Sequence, residues 1–526
     1  MSFLYDSVAA LVVVAVASAM GWLFGGARGD LLIPVVPWLF VLVVEVIICY
    51  PQRHRGEKTY EARARAWRAL VRSPLVWLSC GLLLLLAVPF VNRGLCAGCD
   101  AALIAQGCDP EPPIPFLPFC VDRPDHLKVF LWFMVVLPSA VLVRHCLTRR
   151  GKRLAIQLLV WNGVAMAIFG FVQGALGAPG PFWIGSADGR GAGVFFSAFG
   201  YPNMAGSYFT ALFGLAMALW RDRSEQIRRA ELGLDPSELA GSDAKKYGRF
   251  WRRHYFLIPA GVLFFAALNT LSRAAIILVA AIAIVYFLHT LVIILSRMRR
   301  SRRVIVGVWS LIVFGLIIFF AAISMPNKMK REVDSLGTVA MLDRVTGKGQ
   351  YHVQVATSIW RDHPLFGVGG WGYKHLCVDK MRELEIPFRE LQGSGGANVH
   401  NDHLQFLTEH GLVGFGLMLA ILAILVFPVV RQWRALIQEA RFKKGKNVPP
   451  KPIQVFALPA PAFFILVAMS AVLIHAFGDC PLRSCAVLDL LFISLAALPG
   501  FMPKQQEGEQ PHRHHLQHHH HHHHHH

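Results

Sequence analysis

Charge is what this chain has least of. Charged residues make up 16% of its 526 residues and hydrophobic ones 55%, a balance that excludes an ordinary soluble domain. Internal repeats and low-complexity tracts are also missing, so no solenoid is encoded and no inverted pair of halves of the kind transporters carry. A nucleotide-binding motif is absent as well. Gly-Val-Gly-Gly-Trp-Gly at 367–372 has the glycines of a phosphate loop but follows no strand of a βαβ unit, and it reads as a turn. Acidic residues are few, 32 against 52 basic ones, and the resulting charge of +20 needs an explanation.

What is present is a series of apolar runs, each long enough to cross about 30 Å of hydrocarbon. They fall at 7–25, 31–50, 75–92, 127–146, 154–177, 203–220, 254–271, 274–294, 304–324, 411–430, 456–477 and 484–502. The expected fold is an all-α polytopic membrane protein with about 12 transmembrane helices. It divides into 1–324 with nine spans, a polar segment 325–410 containing helices, 411–503 with three spans, and the tail 504–526. The run His518–His526 is a purification tag and carries no fold information. Lys and Arg alternate between loops. The loop 51–74 holds Arg53, Arg55, Lys58, Arg63, Arg65, Arg68 and Arg72, whereas 178–202 holds only Arg190 and 478–483 only Arg483. By the positive-inside rule both termini are cytoplasmic and 325–410 lies outside. The net charge is thus a topology signal with affinity for anionic membrane lipids, and it does not call for a nucleic-acid partner. Ala17-Ser-Ala19 resembles a signal-peptidase site, but the first run lacks a basic leader and the second follows at once, so an uncleaved span is expected. The stretch 51–74, with Arg63, Arg65, Arg68 and Arg72 around Tyr60, Trp67 and Leu70, reads as an amphipathic helix on the inner leaflet.

Four cysteines, Cys96, Cys99, Cys108 and Cys120, cluster in the outside loop 93–126. A zinc reading of Cys96-x-x-Cys99 competes with two disulfides, which an oxidising compartment favours; the pairing stays open among three connectivities.

Candidate chemistry concentrates outside. Arg190, Arg273, Arg344 and Arg389 stand beside spans or glycine-rich turns, where a guanidinium pairs or serves a site. Snorkelling is the bland alternative for Arg273, and a solvated loop charge for Arg190 and Arg389. Several converging guanidiniums suit a pyrophosphate, which takes bidentate hydrogen bonds. His400 and His403 stand at i, i+3, and Asn398 or Asn401 can cap the helix that follows. The positive end of a helix favours a neutral imidazole, the form that accepts a proton, and attracts an anionic leaving group. The alternatives are a His-x-x-His metal site recruiting His352, His363, His375 or His410, and a structural histidine bonded to a carbonyl.

Arg344, Trp360-Arg-Asp-His-Pro364-Leu-Phe-Gly367-Val-Gly369 and His400-Asn401-x-x-Leu404-Gln405-x-Leu-x-Glu409-x-Gly411-x-x-Gly414 together resemble the signature of the O-antigen ligase/polymerase superfamily. Gly193-x-Phe195 to Asn203 and Ser272-Arg273 resemble its membrane motifs, so the likeness runs from about 185 to 430. It implies a multi-pass enzyme of the bacterial inner membrane that works on the periplasmic face. Its donor is a glycan on undecaprenyl pyrophosphate and its acceptor is lipid A–core. The transfer is inverting and metal-independent, and no cofactor is implied. By motif match His400 is the catalytic histidine, and Arg273, Arg344 and Arg190 bind the donor pyrophosphate. Asn203, Asn401, His403 and Arg389 support them. An O-antigen polymerase or a protein O-oligosaccharyltransferase would use the same donor, and a lipid-linked glycan transporter is the non-enzymatic alternative. The four-cysteine loop is a departure from the family pattern.

Overall fold

The computed structural model describes residues 2–49, 56–92, 114–184, 195–231, 246–323, 330–331, 348–386, 398–442 and 458–502. Among them the chain is helical, with one isolated bridge, Phe196 to Phe199, and no β-strand. Backbone amides in hydrocarbon must be satisfied within their own segment, so apolar runs of this kind become helices. In chain order these are α1 (Ser2–Trp22), α2 (Gly29–Cys49), α3 (Thr59–Val71), α4 (Pro74–Ala87), α5 (Arg123–Val141), α6 (Arg149–Ala175), α7 (Pro202–Glu231) and α8 (Lys246–His254). They continue with α9 (Leu257–Asn269), α10 (Arg273–Arg297), α11 (Arg300–Ile323), α12 (Lys348–Asp362), α13 (Gly372–Glu383), α14 (Asp402–Phe442), α15 (Ala460–His475) and α16 (Cys485–Ala497).

Each apolar run of the sequence coincides with a helix, and the protein is an all-α polytopic membrane protein. Among the described residues, six helices are by themselves long and apolar enough to cross a membrane, seven if the pair Thr59–Val71 and Pro74–Phe90, bent by 63°, counts as one span. Ala460–His475 and Cys485–Phe501 are shorter apolar helices. At about 1.5 Å per residue, a helix the length of α15 reaches only about 24 Å. The twelve runs are therefore not twelve equal spans.

Helix α7 is the hub of the bundle, packing against α15, α9, α6 and α10, while α5 packs against α2 and α16. Every residue of α16 is buried, as befits a helix apolar all round. Gly206 of α7 lies against Ser272 and Ala275 of α10, where a Cβ would collide with that of Ala275. The small residue lets the starts of the two helices approach closely. Beyond the bundle, α12 and α13 enclose a second small core with Phe119, Val121, Ile359, Tyr373 and Val399.

The two parts are joined by a backbone exchange. Helix α14 breaks at Gly411, whose φ of 63° and ψ of −171° are outside the reach of other residues. The amides of Leu412 and Val413 donate to the carbonyls of Pro364 and Leu365 at 2.9 and 3.0 Å. In return the amides of Val368 and Gly369 donate to the carbonyls of Thr408 and Glu409 at 3.3 and 2.8 Å. The glycine-rich stretch 367–372 is therefore a turn laid against the helix break. His126 of α5 clamps it: its Nδ1 accepts from the Gly370 amide at 2.8 Å, so Nε2 carries the proton and donates to the Leu86 carbonyl at 2.8 Å. We predict that Gly411→Ala, which sets a Cβ against the Leu365 carbonyl, costs at least about 1–3 kcal/mol. Gly416→Ala, in open space on the same helix, should be neutral. Thermal unfolding in detergent of the two variants and the parent is the check.

Candidate active site

His400 sits just before α14, with φ 56°, a left-handed conformation that a non-glycine residue adopts only under constraint. The constraint comes from both sides. The Asp402 amide donates to the Ala476 carbonyl at 2.8 Å, and the Asn401 side-chain oxygen accepts from the Leu404 amide at 3.1 Å. Asn401 is thus the N-cap of α14. The turn at His400 aims its ring at the short connection between α15 and α16, where Nδ1 lies 3.4 Å from Asp479 Oδ1.

Asp479 gathers the site. It accepts from Tyr201 Oη at 2.8 Å, from Asn203 Nδ2, and from the Cys480 amide at 2.8 Å. Burial pushes this carboxyl up, but the hydrogen bond and charge of His400, with the Cys480 amide and the Tyr201 hydroxyl, outweigh it and hold Asp479 below the ordinary carboxylate range. It is therefore ionised, and it faces His400 Nδ1 as an acceptor, which suits the tautomer that donates through Nδ1–H and leaves Nε2 to accept a proton. Asn203 continues the chain, its Oδ1 accepting from Ser272 Oγ at 2.5 Å. Ser272 in turn caps α10, accepting from the Ala275 amide at 3.3 Å. Arg273, half-buried, is the first residue of that helix and so starts beside the network. His352 stands 6.0 Å from the His400 ring, bonded through Nδ1 to Tyr373 Oη at 2.7 Å. Burial, then the charge of His400, push His352 down to about 4, so it remains neutral.

Beneath this layer lies a buried ion cluster. Arg483 bonds Glu409 at 2.8 Å, stands 3.7 Å from Asp402, and covers the Trp371 ring at 4.8 Å. Gln405 links Glu409 to the Val399 amide, at 3.0 Å on each side. A mainly apolar cavity of about 140 Å³ adjoins it, lined by Phe133, Phe406, Leu422 and Phe492 together with His403 and Arg483.

The sequence candidates divide accordingly. His400, Asn401, Asn203 and Arg273 come together at one end of the bundle, whereas His403 turns away, bonding the Leu473 carbonyl at 3.0 Å and lying 4.2 Å from the Phe477 ring. The His-x-x-His metal grouping does not form: His375 bonds Asp125 at 3.0 Å, His363 abuts Phe119, and His410 is buried between Phe406 and His126. Cys120 is a free, buried thiol, 3.8 Å from the Pro89 carbonyl beneath Gly369, so its expected disulfide is not formed there. Arg190, Arg344, Arg389, Cys96, Cys99 and Cys108 lie outside the described residues. Asp479, Tyr201 and Arg483 were not anticipated as site residues.

Residues 258–419 match the family model described as O-antigen ligase. That match supports membership in the O-antigen ligase family. The matched O-antigen ligase region holds Arg273, His400, Asn401 and Glu409, while Asn203, Asp479 and Arg483, which complete the constellation, come from outside it. No curated protein matches the chain.

Removing Arg483 would leave the fully buried Glu409 without its partner, so Arg483→Ala is expected to cost about 3–5 kcal/mol. The exposed pair Arg382–Asp379 makes the control, since Arg382→Ala should change stability by less than about 1 kcal/mol. Equal melting temperatures of the two variants in detergent would contradict the assignment.

Proposed function

We propose that the protein transfers a glycan from undecaprenyl pyrophosphate to a sugar hydroxyl of lipid A–core, on the periplasmic face of the bacterial inner membrane. The observation that carries the reading is the His400–Asp479 pair beside the start of α10, with His400 and Arg273 inside the region that matches the O-antigen ligase family model and Asp479 outside it. In this reading both termini are cytoplasmic and 325–410 is the periplasmic catalytic segment, between helices 1–324 and 411–503.

The polyprenyl chain lies between the membrane helices, where the apolar cavity beside α14 offers it a surface. Its pyrophosphate sits at the interface against Arg273, joined by Arg190 and Arg344. His400 Nε2 takes the proton of the acceptor hydroxyl as that oxygen attacks the anomeric carbon from the face opposite the pyrophosphate. The bond from that carbon to the pyrophosphate oxygen breaks, and the sugar inverts. Asp479 stabilises the imidazolium that forms. General-base help of this kind contributes about 10²–10⁴-fold. Neutralisation of the leaving group by guanidiniums contributes more, because a positive charge held where negative charge develops needs no rearrangement. The donor is already activated, so the reaction requires no nucleotide, and the arginines supply the charge that a metal would otherwise bring.

The test is a transfer assay with purified protein, donor and lipid A–core. His400→Ala should abolish transfer without loss of folding, and Asp479→Asn should lower it by about 10²–10⁴-fold, the range of the base itself. His403→Ala should be milder. Arg273→Lys should stay severely impaired, since lysine keeps the charge but loses the planar fork. Activity should survive EDTA. Parental turnover in His400→Ala, or loss on chelation restored by a divalent ion, would refute the mechanism.

A further inference from the structure

Three side chains at the centre of the site, two of them used in the proposed transfer and the third, Cys480, unused, together make a set of metal-ligating groups. His400 Nδ1, Asp479 Oδ1 and Cys480 Sγ lie within 4.8 Å of one another. Two of the three separations are shorter still, 3.4 Å from His400 to Asp479 and 3.3 Å from Cys480 to Asp479. Around tetrahedral zinc, with bonds of about 2.0–2.3 Å, neighbouring ligand atoms stand roughly 3.4–3.6 Å apart. We propose that His400, Asp479 and Cys480 form a binding site for a thiophilic divalent cation of the zinc class, and that occupancy switches the enzyme off.

The ligand set is that of zinc, with one imidazole, one carboxylate and one thiolate. Tyr201 and Asn203 already hold the carboxylate in orientation, as outer-shell partners do at metal sites. Asp479 and Cys480 are buried while the His400 side chain is 35% exposed, so the ion has protein on one side and an open fourth position on the other. A second grouping, Asp122, Asp125 and His375, has the same spacing but not the same availability. There Lys128 and Lys374 ammoniums stand 2.7 and 3.1 Å from Asp125 and already balance its charge. The donors on Asp479 besides His400 are all neutral: Tyr201, Asn203, and the amide and thiol of Cys480.

Binding exchanges the thiol proton of Cys480 for a sulfur–metal bond and releases that proton to solvent. It also takes the Nδ1 lone pair of His400, which obliges the ring to carry its remaining proton on Nε2. The nitrogen that would accept the acceptor's proton is then blocked. This inhibitory half rests on the base role proposed for His400, whereas metal binding does not.

Binding is measured first, on protein freed of the terminal histidine run, by titration with Co²⁺. The wild-type protein should develop the thiolate-to-cobalt charge-transfer band, and Zn²⁺ should quench it. Cys480→Ser should lose the band and weaken Zn²⁺ binding at least about tenfold. A band of full strength in Cys480→Ser would belong to other cysteines, Cys96-x-x-Cys99 foremost, and would overturn the site. A second readout needs no variant: Zn²⁺ should slow carbethoxylation of His400 by diethylpyrocarbonate at least about tenfold, read on the His400 peptide by mass spectrometry. Unchanged modification would also overturn the site. Transfer at the same Zn²⁺ concentrations should fall with occupancy. Binding without inhibition would refute the switch and, with it, the base role of His400, while leaving the metal site in place.

Discussion

The site depends on one buried carboxylate. Asp479 lies in the short connection between α15 and α16, and an ionised group so placed is costly unless its oxygens are satisfied. Each bond that satisfies it brings in a different part of the chain. Tyr201 and Asn203 come from the start of α7, the Cys480 amide from the connection itself, and His400 from the entry to α14. Through Asn203 and Ser272 the network reaches the start of α10, where Arg273 begins. The electrostatic need of one residue thus assembles a constellation that no single helix carries.

A second buried charge cluster stiffens the same end of the bundle. Arg483 holds Glu409 and Asp402 at the first turns of α14, and the break at Gly411 fastens the following turn to residues 364–369. His400 consequently leads into a helix whose position is fixed by ion pairs and by backbone bonds beside it. Such preorganisation suits a reaction in which charge develops on a leaving group that must be met without rearrangement.

The bundle was legible in the sequence because apolar runs have only one way to satisfy their backbone. His400, Asn401, Asn203 and Arg273 were legible from motif likeness, and all four meet at one end of the fold. Asp479 was not, for a physical reason: an Asp in a short connection between two apolar helices has no periodicity. Its partner Tyr201 is 278 residues away in the chain and His400 is 79 away. His403 is placed differently from what its spacing suggests, for the opposite reason. Its spacing of three from His400 implies a shared helix face, but the left-handed turn at His400 takes that ring off the helix, and the carbonyl of Leu473 claims His403. Arg483, read only as a loop charge that sets topology, is instead a buried ion at the heart of the site.

The proposed donor is common to the ligase, polymerase and protein-glycosylating readings, so the acceptor separates them. The most direct measurement gives purified, reconstituted protein an undecaprenyl-pyrophosphate glycan with lipid A–core, with further donor alone, or with a Ser/Thr acceptor peptide. The account predicts glycan on lipid A–core, with none on the peptide and no lengthening of the donor. Transfer confined to the peptide or to a second donor would contradict the ligase reading, and donor consumption in none of the three would contradict glycosyl transfer itself.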